Sequence, residues 1–115
     1  MKPLKEKDSQ IISVKPISIN ECWQGRRFMT SKYKDFTKDM LRVMPKRVIF
    51  LGNIDLKIYL YLKSIFRSDI DNFIKPIIDC LVKKGWIEDD RFIQHLEVVK
   101  VKNKTEQIGI KLSQL

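Results

Sequence analysis

The segment "NIDLKIYLYLK", residues 53–63, contains the clearest secondary-structure pattern of the chain. Ile54, Leu56, Ile58, Leu60 and Leu62 alternate with polar and aromatic residues. A strict period of two is typical of a β-strand with one buried face. We therefore predict a central strand whose aliphatic face lies in the core. Its other face carries two tyrosines at residues 59 and 61, which we expect to be exposed and available for packing or DNA contact.

Helices and further strands are predicted on both sides of this strand. Apolar residues recur every three or four positions from about residue 31 to residue 44, and a proline follows, which predicts a helix capped by Ser31. Residues 11–19 are predicted as an edge strand interrupted by a proline, and residues 92–102 and 105–112 as two strands joined by a polar turn. The order β-α-β-α-β-β predicts an α+β fold with a mixed sheet of about four strands and two helices on one face.

A proline sets the start of the second helix. Apolar pairs four residues apart lead to Gly85, a suitable residue to end a helix. Pro76 in a helix interior would cost about 3 kcal/mol, so we expect the helix to begin at Asn72 or just after it, with Asn72 as the cap. The preceding residues from Asp69 to Asp71 would then be extended, and both carboxylates would point to the same side.

Length and composition indicate one globular domain. The chain has 115 residues, of which 43% are hydrophobic and 32% charged. We expect a flexible segment at residues 1–10 and a single domain at residues 11–115. No apolar stretch approaches the roughly 20 residues that cross a membrane, and no signal peptide is recognisable. The two cysteines are far apart and form no metal-binding pair, which favours a cytoplasmic location.

The charge is unevenly distributed along the chain. The net charge is +9, and residues 1–50 hold 12 Lys/Arg against 5 Asp/Glu, a net of +7. Residues 51–115 hold 11 against 9, a net of +2, and six of these nine acids lie within residues 69–90. A basic chain with one confined acidic cluster is typical of a protein with a polyanion partner and a local cation site. A basic composition is also common in proteins that bind no nucleic acid.

Two interpretations of the first acidic group, "SDIDNFIKPIID", remain open. Aspartates are favoured at helix starts because the exposed backbone N–H groups carry partial positive charge. Alternatively, Asp69 and Asp71 are two ligands of one cation, with Lys75 beside them. Lys75 and Asp79 have the spacing of an ordinary helical ion pair.

The second acidic group, "EDD", follows the second helix. A strand that starts near Arg91 can run back beside the central strand, which would bring Asp89 or Asp90 to the first acidic group. The alternative is an acidic turn exposed to solvent. Together the two groups supply carboxylate oxygens, which suit Mg²⁺ or Mn²⁺ rather than zinc. The single histidine, His95, is predicted within a strand rather than at a metal.

The segment "DIDNFIKPIIDCLVKKGWIEDD" resembles the RusA-type Holliday-junction resolvases in its D-x-D-N-x-x-K-x-x-x-D and D-D pattern. "PISIN" with the following Trp23, and "SKYKDF", are similar to the N-terminal half of that family, so the resemblance covers roughly residues 16–112. The resemblance implies a Mg²⁺-dependent endodeoxyribonuclease that acts as a homodimer and nicks two opposed strands of a four-way DNA junction. Such small resolvases commonly come from prophages.

The resemblance also implies roles for individual residues. The catalytic residues would be Asp69, Asp71, Lys75 and Asp90. The three aspartates among them would bind the metal, with Asp90 preferred to Asp89 as the third ligand. Supporting roles fall to Asp79, Asp89 and Asn72.

The basic first half offers candidate phosphate contacts. They are Arg26, Arg27, Lys32, Lys34, Lys46 and Arg47. Trp23 and Phe28 could stack at an opened junction or pack in the core or a dimer contact. The rival functions are a nuclease for other branched DNA and a non-catalytic DNA-binding module of the same fold.

Overall fold

A computed structural model describes residues 9–25, 28–47 and 49–115 of the chain. Two helices and six strands are found there. The helices are α1 (Ser31–Val43) and α2 (Ile74–Lys84), and the strands are β1 (Ser9–Ile12), β2 (Trp23–Gln24), β3 (Phe28–Met29), β4 (Ile54–Leu62), β5 (Ile93–Lys102) and β6 (Gln107–Gln114). Short 3-10 turns occupy Ile19–Glu21, Ile70–Phe73 and Asp90–Phe92.

The main sheet has four strands in the order β1-β6-β4-β5, and β2 and β3 form a separate hairpin. Strand β4 is antiparallel to β6 and parallel to β5. The predicted α+β class, with a mixed four-stranded sheet and two helices, is confirmed. The β2–β3 hairpin was not predicted, because two-residue strands have no measurable periodicity.

The core lies between β4 and the two helices. The five aliphatic side chains of β4 are fully buried at 0% exposure. They belong to one cluster with Phe36 and Met40 of α1, and with Ile77 and Leu81 of α2. Burying one such side chain contributes about 1.5–3 kcal/mol, so this alternating face of β4 orients both helices.

The opposite face of β4 is less exposed than predicted. Tyr59 is only 6% exposed, and its ring stacks on that of Tyr61 with 6.4 Å between centroids. Tyr59 has low exposure because β4 lies between two other strands: Tyr59 pairs with Val99 of β5 on one side and with Gly109 of β6 on the other. The prediction of an exposed Tyr59 is therefore wrong, and Tyr61 is partly buried.

The direction of β5 also differs from the prediction. Strand β5 does not run back beside β4 but lies parallel to it, with Ile54 opposite Ile93 and Leu62 opposite Lys102. A parallel neighbour requires a long crossover connection, and α2 provides it. The segment that precedes β5 therefore lies at the end of the sheet where β4 begins.

The start of α2 differs in detail from the prediction. Asp69 is extended, but Ile70–Phe73 is a 3-10 turn. The prediction that Asp69–Asp71 is extended is therefore right for Asp69 and wrong for the two residues after it. Asn72 lies inside this turn and is not the helix cap. Pro76 occupies the first turn of α2, where backbone N–H groups lack intrahelical partners in any case. Gly85 ends the helix with φ 80°, as predicted.

The predicted edge strand at residues 11–19 was wrong after Ile12, because β1 ends there, residues 13–18 form no strand and Ile19–Glu21 is a 3-10 turn. Pro16 has no N–H to donate to a sheet, which is consistent with this early end.

The other boundaries shift by one or two residues. Helix α1 begins at Ser31, but its cap is Thr30, whose Oγ1 accepts a hydrogen bond from the Tyr33 N–H at 3.2 Å. Strand β1 begins at Ser9, so residues 9 and 10 are not part of a flexible terminus. The first eight residues of that predicted terminus lie outside the described residues. Within the described chain, no helix is long and apolar enough to span a membrane.

Candidate active site

Asp69 and Asp71 lie at the turn between β4 and α2. Asp69 begins the 3-10 turn, which is closed by a hydrogen bond of 3.1 Å from the Asn72 N–H to the Asp69 carbonyl. Both aspartates are exposed, and neither carboxylate has a hydrogen bond or ion pair with another described residue. In a chain with a net charge of +9, two unpaired carboxylates two positions apart are available for an external cation.

A partly buried network of hydrogen bonds holds the segment that leads to Asp69. Lys100 on β5 donates hydrogen bonds to the carbonyls of Ile65, at 2.7 Å, and of Ser68. The Ser68 hydroxyl lies 3.3 Å from both the Ser18 hydroxyl and the Asn72 side-chain amide. These contacts hold the segment against β5 and set the position of the backbone at Asp69. Asn72 therefore supports the site through Ser68.

Arg67 is the second anchor of the same segment. Its guanidinium donates to the Pro16 carbonyl at 2.8 Å and lies over the Phe73 ring, 5.2 Å from the centroid. It is also 3.8 Å from Glu106, a carboxylate that is 8% exposed and accepts a hydrogen bond of 2.9 Å from the Lys63 N–H. Arg67 is thus bound by protein groups on several sides.

The lysine of the site belongs to a three-residue chain of hydrogen bonds. Lys75 Nζ lies 3.0 Å from Asp79 Oδ1, and the Tyr33 hydroxyl donates to Asp79 Oδ2 at 3.2 Å. The hydrogen bond with Asp79, and then its charge, raise the pKa of Lys75, and the charge of Asp90 adds to this effect. Lys75 therefore stays protonated at neutral pH. The supporting position predicted for Asp79 beside Lys75 is present in the structure.

Tyr33 has no counterpart among the predicted site residues. Burial raises its pKa, and the nearby Asp79 charge raises it further. Its ring packs edge-on against Trp23 of the β2–β3 hairpin at 5.8 Å. Apolar spacing on α1 identifies Tyr33 only as a core residue, because the contact with Asp79 joins two helices that are distant in sequence.

The three acids before β5 differ in their contacts. Glu88 accepts a hydrogen bond of 2.7 Å from the Gly52 N–H. Asp89 accepts one of 2.7 Å from the Asp90 N–H and lies 3.7 Å from Arg91. Hydrogen bonding with Asp90 is the main reason that the pKa of Asp89 is lowered. Asp90 is exposed, and its charge acts on Lys75.

The described residues do not form a complete metal site. In residues 9–25, 28–47 and 49–115, no group of three or more His, Cys, Asp or Glu side chains is close enough to hold a metal ion. Asp69 and Asp71 provide two exposed carboxylates, which fit the oxygen preference of Mg²⁺. The third ligand, Asp90, remains a prediction. His95 is not near this group but bonds to Asp55 on the opposite face of the sheet, at 2.7 Å.

The predicted DNA-contact residues that the structure describes lie at both ends of α1 and do not form one patch. Arg26 and Arg27 lie outside the described residues. Lys32 and Lys34 are exposed at the start of α1, and Lys32 is 3.6 Å from Glu21. Lys46 and Arg47 follow the other end of this 13-residue helix, about 20 Å away. Arg47 packs over the rings of Phe50 and Trp86, at 4.9 and 5.1 Å.

Comparison with known proteins identifies the family of this chain. A family model described as "Endodeoxyribonuclease RusA" matches residues 13–113. The chain is also 26% identical over 113 residues to the "Crossover junction endodeoxyribonuclease rusA" of Enterobacteria phage HK97, a match that covers 92% of this chain and 94% of the relative. The match spans both the carboxylate turn and the Lys75–Asp79 pair. This chain therefore belongs to the RusA family of endodeoxyribonucleases.

Proposed function

We propose that this protein resolves four-way DNA junctions by metal-dependent hydrolysis of one phosphodiester in each of two opposed strands. Membership of the RusA family supports the endodeoxyribonuclease activity, and the name of the phage relative supports the junction as substrate. The observation that carries the proposal is the turn with two unpaired carboxylates, Asp69 and Asp71, on a braced segment that leads directly into α2, the helix that carries the protonated Lys75.

The residues have distinct roles in this proposal. Asp69, Asp71 and Asp90 would ligate Mg²⁺, with Mn²⁺ as a possible substitute. A metal held by these carboxylates would supply Lewis-acid stabilisation of phosphate charge and an activated water for the hydrolysis. Lys75 keeps its charge because Asp79 stabilises the ammonium, so it can stabilise negative charge that develops on the phosphate oxygens.

Two opposed cuts require two copies of the site. The described chain carries the Asp69–Asp71 turn once, and a four-way junction has two-fold symmetry. A homodimer with a two-fold axis would present two equivalent sites to two equivalent strands. We also expect a cytoplasmic location, and the phage origin of the relative is compatible with a prophage gene.

The decisive experiment compares an immobile synthetic four-way junction with a linear duplex, each with Mg²⁺. The wild type is expected to make paired symmetric nicks in the junction only. Asp71→Asn should remove cleavage while junction binding persists, because the amide keeps the shape of the turn but loses the charge. Asp39→Asn is the matched control, since Asp39 is an exposed aspartate of α1 whose contact is with Arg42 at 3.7 Å.

A non-catalytic DNA-binding module is the second candidate. It would bind the junction tightly and cut neither substrate with Mg²⁺ or with Mn²⁺. The unpaired state of Asp69 and Asp71 argues against it, because two exposed carboxylates weaken the binding of a polyanion unless a cation neutralises them.

A further inference from the structure

Phe66 is the most exposed large apolar residue of the described chain. Its exposure is 89%, and it lies in the loop between β4 and the carboxylate turn, three residues before Asp69. Three residues of extended chain span at most about 10 Å. This distance corresponds to about three stacked bases at 3.4 Å each, so a base in contact with Phe66 lies within a few nucleotides of any phosphate held at Asp69.

The loop around Phe66 is ordered by hydrogen bonds, so its exposure does not result from missing structure. The Phe66 N–H donates to the Ser64 hydroxyl at 3.3 Å, and the Arg67 N–H donates to the Ser64 carbonyl at 3.4 Å. Lys100 of β5 donates a hydrogen bond of 2.7 Å to the Ile65 carbonyl. An aromatic ring held on a fixed turn but outside the core contributes little to folding, which suggests that it contacts a partner.

Positive charge surrounds this loop. Lys63 begins the loop, Lys102 pairs with the neighbouring Leu62 across the parallel strands, and Lys104 lies in the β5–β6 turn. All three lysines are exposed and line one open groove. The nearby carboxylate, Glu106, is buried, so the surface of this groove is positive.

A second groove continues from these lysines to the base of the Phe66 loop. Its lining consists of Lys15, Ser64, Arg67, Thr105 and Glu106 besides Lys63 and Lys104. The one carboxylate among them, Glu106, is paired with Lys15 at 3.9 Å and with Arg67 at 3.8 Å, so the groove keeps a net positive charge. Together the two grooves form a continuous basic surface that ends beside an exposed aromatic ring. A nucleic acid strand fits this combination, because basic grooves follow phosphates and every base has a face that can stack on an aromatic side chain.

We propose that Phe66 stacks on an unpaired base near the branch point while Lys63, Lys102 and Lys104 contact phosphates of the adjoining DNA arm. This inference rests on the proposed function, since it places the DNA next to the Asp69–Asp71 turn. It also differs from the sequence prediction, in which the candidate phosphate contacts came only from the first half of the chain. Sequence patterns do not single out these lysines, because the sheet pairing brings them together.

The first test replaces the ring. Phe66→Ala is expected to weaken junction binding by about 5- to 100-fold and to change duplex binding less than twofold. A junction with 2-aminopurine at the branch point should change its fluorescence on binding wild type and lose most of that change with the variant. Phe66→Tyr keeps a stacking ring and should restore both signals. Leu51→Ala is the matched control, because Leu51 is 59% exposed at the opposite end of β4.

The second test removes the charges. The double variant Lys102→Gln/Lys104→Gln should reduce the slope of log binding constant against log salt by about 2, one for each lost phosphate contact. Lys38→Gln on the exposed face of α1 should leave the slope unchanged. A slope equal to that of the wild type in the double variant would contradict the proposed phosphate contacts.

The outcomes separate this inference from the proposed function. If the wild type neither prefers nor cuts the junction, the proposed function fails, and this inference fails with it. If the wild type cuts the junction and Phe66→Ala binds and cuts it equally well, only the stacking role fails. If Phe66→Ala is monomeric where the wild type is dimeric, the ring contacts a second copy of the chain rather than a base.

Discussion

Lys100→Met tests whether the segment that carries Asp69 is held in place by this partly buried lysine. The methionine keeps an unbranched side chain of similar length and removes only the ammonium group. Two hydrogen bonds, to the carbonyls of Ile65 and Ser68, are lost. Bonds from a charged donor contribute about 1.5–3 kcal/mol each. Because Lys100 is only partly buried, water compensates for some of this, and we expect a loss of about 2–3 kcal/mol.

This loss is measurable and leaves the protein folded. A domain of this size is stable by about 6–17 kcal/mol, so the variant remains native at 25 °C. Unfolding in urea should show a lower midpoint with an unchanged slope, and the melting temperature should fall by about 8–12 °C. Cleavage measured well below the melting temperature should fall by about 100-fold, because small displacements of a catalytic group are costly.

The control is Lys102→Met, two residues further along β5. Lys102 is exposed, so its replacement should change the free energy of unfolding by less than about 0.5 kcal/mol. The reasoning would be refuted if Lys100→Met also changed stability by less than 0.5 kcal/mol and left junction cleavage intact, since the carboxylate turn would then hold its position without the lysine.

Three further predictions concern α2 and its contacts. Asp79→Asn should lower the pKa of Lys75 in an NMR titration, and an unchanged pKa would contradict the assigned cause. Because the pKa of Lys75 is raised in the folded state, the stabilisation by this pair is complete below about pH 10.5 and is lost as the pH rises through the folded pKa. Tyr33→Phe should cost about 1–2 kcal/mol in urea unfolding by removing the bond to Asp79, whereas a neutral effect would mean that water replaces the hydroxyl. Gly85→Ala should cost about 1–2 kcal/mol because the φ of 80° strains any side chain; a cost near zero would show that the helix end relaxes.

Local patterns in the sequence determined the main elements. The alternation in β4 predicted its buried face, and apolar spacing predicted both helices, because these signals arise within one element. Pro76 and Gly85 fixed the first turn and the end of α2 through backbone geometry alone. The D-x-D-N-x-x-K pattern located the candidate site for the same reason, since its residues are neighbours along the chain.

Contacts between distant segments could be decided only by the tertiary structure. The parallel direction of β5 depends on how the whole chain crosses over the sheet, and an isolated strand carries no directional signal. Lys100 and Tyr33 became site residues only when β5 and α1 were packed against the carboxylate segment and α2. The sequence by itself therefore determined which carboxylates and which lysine form the candidate site. Tertiary packing decided what holds them, because a hydrogen bond between two elements depends on their placement and not on the residues around either partner.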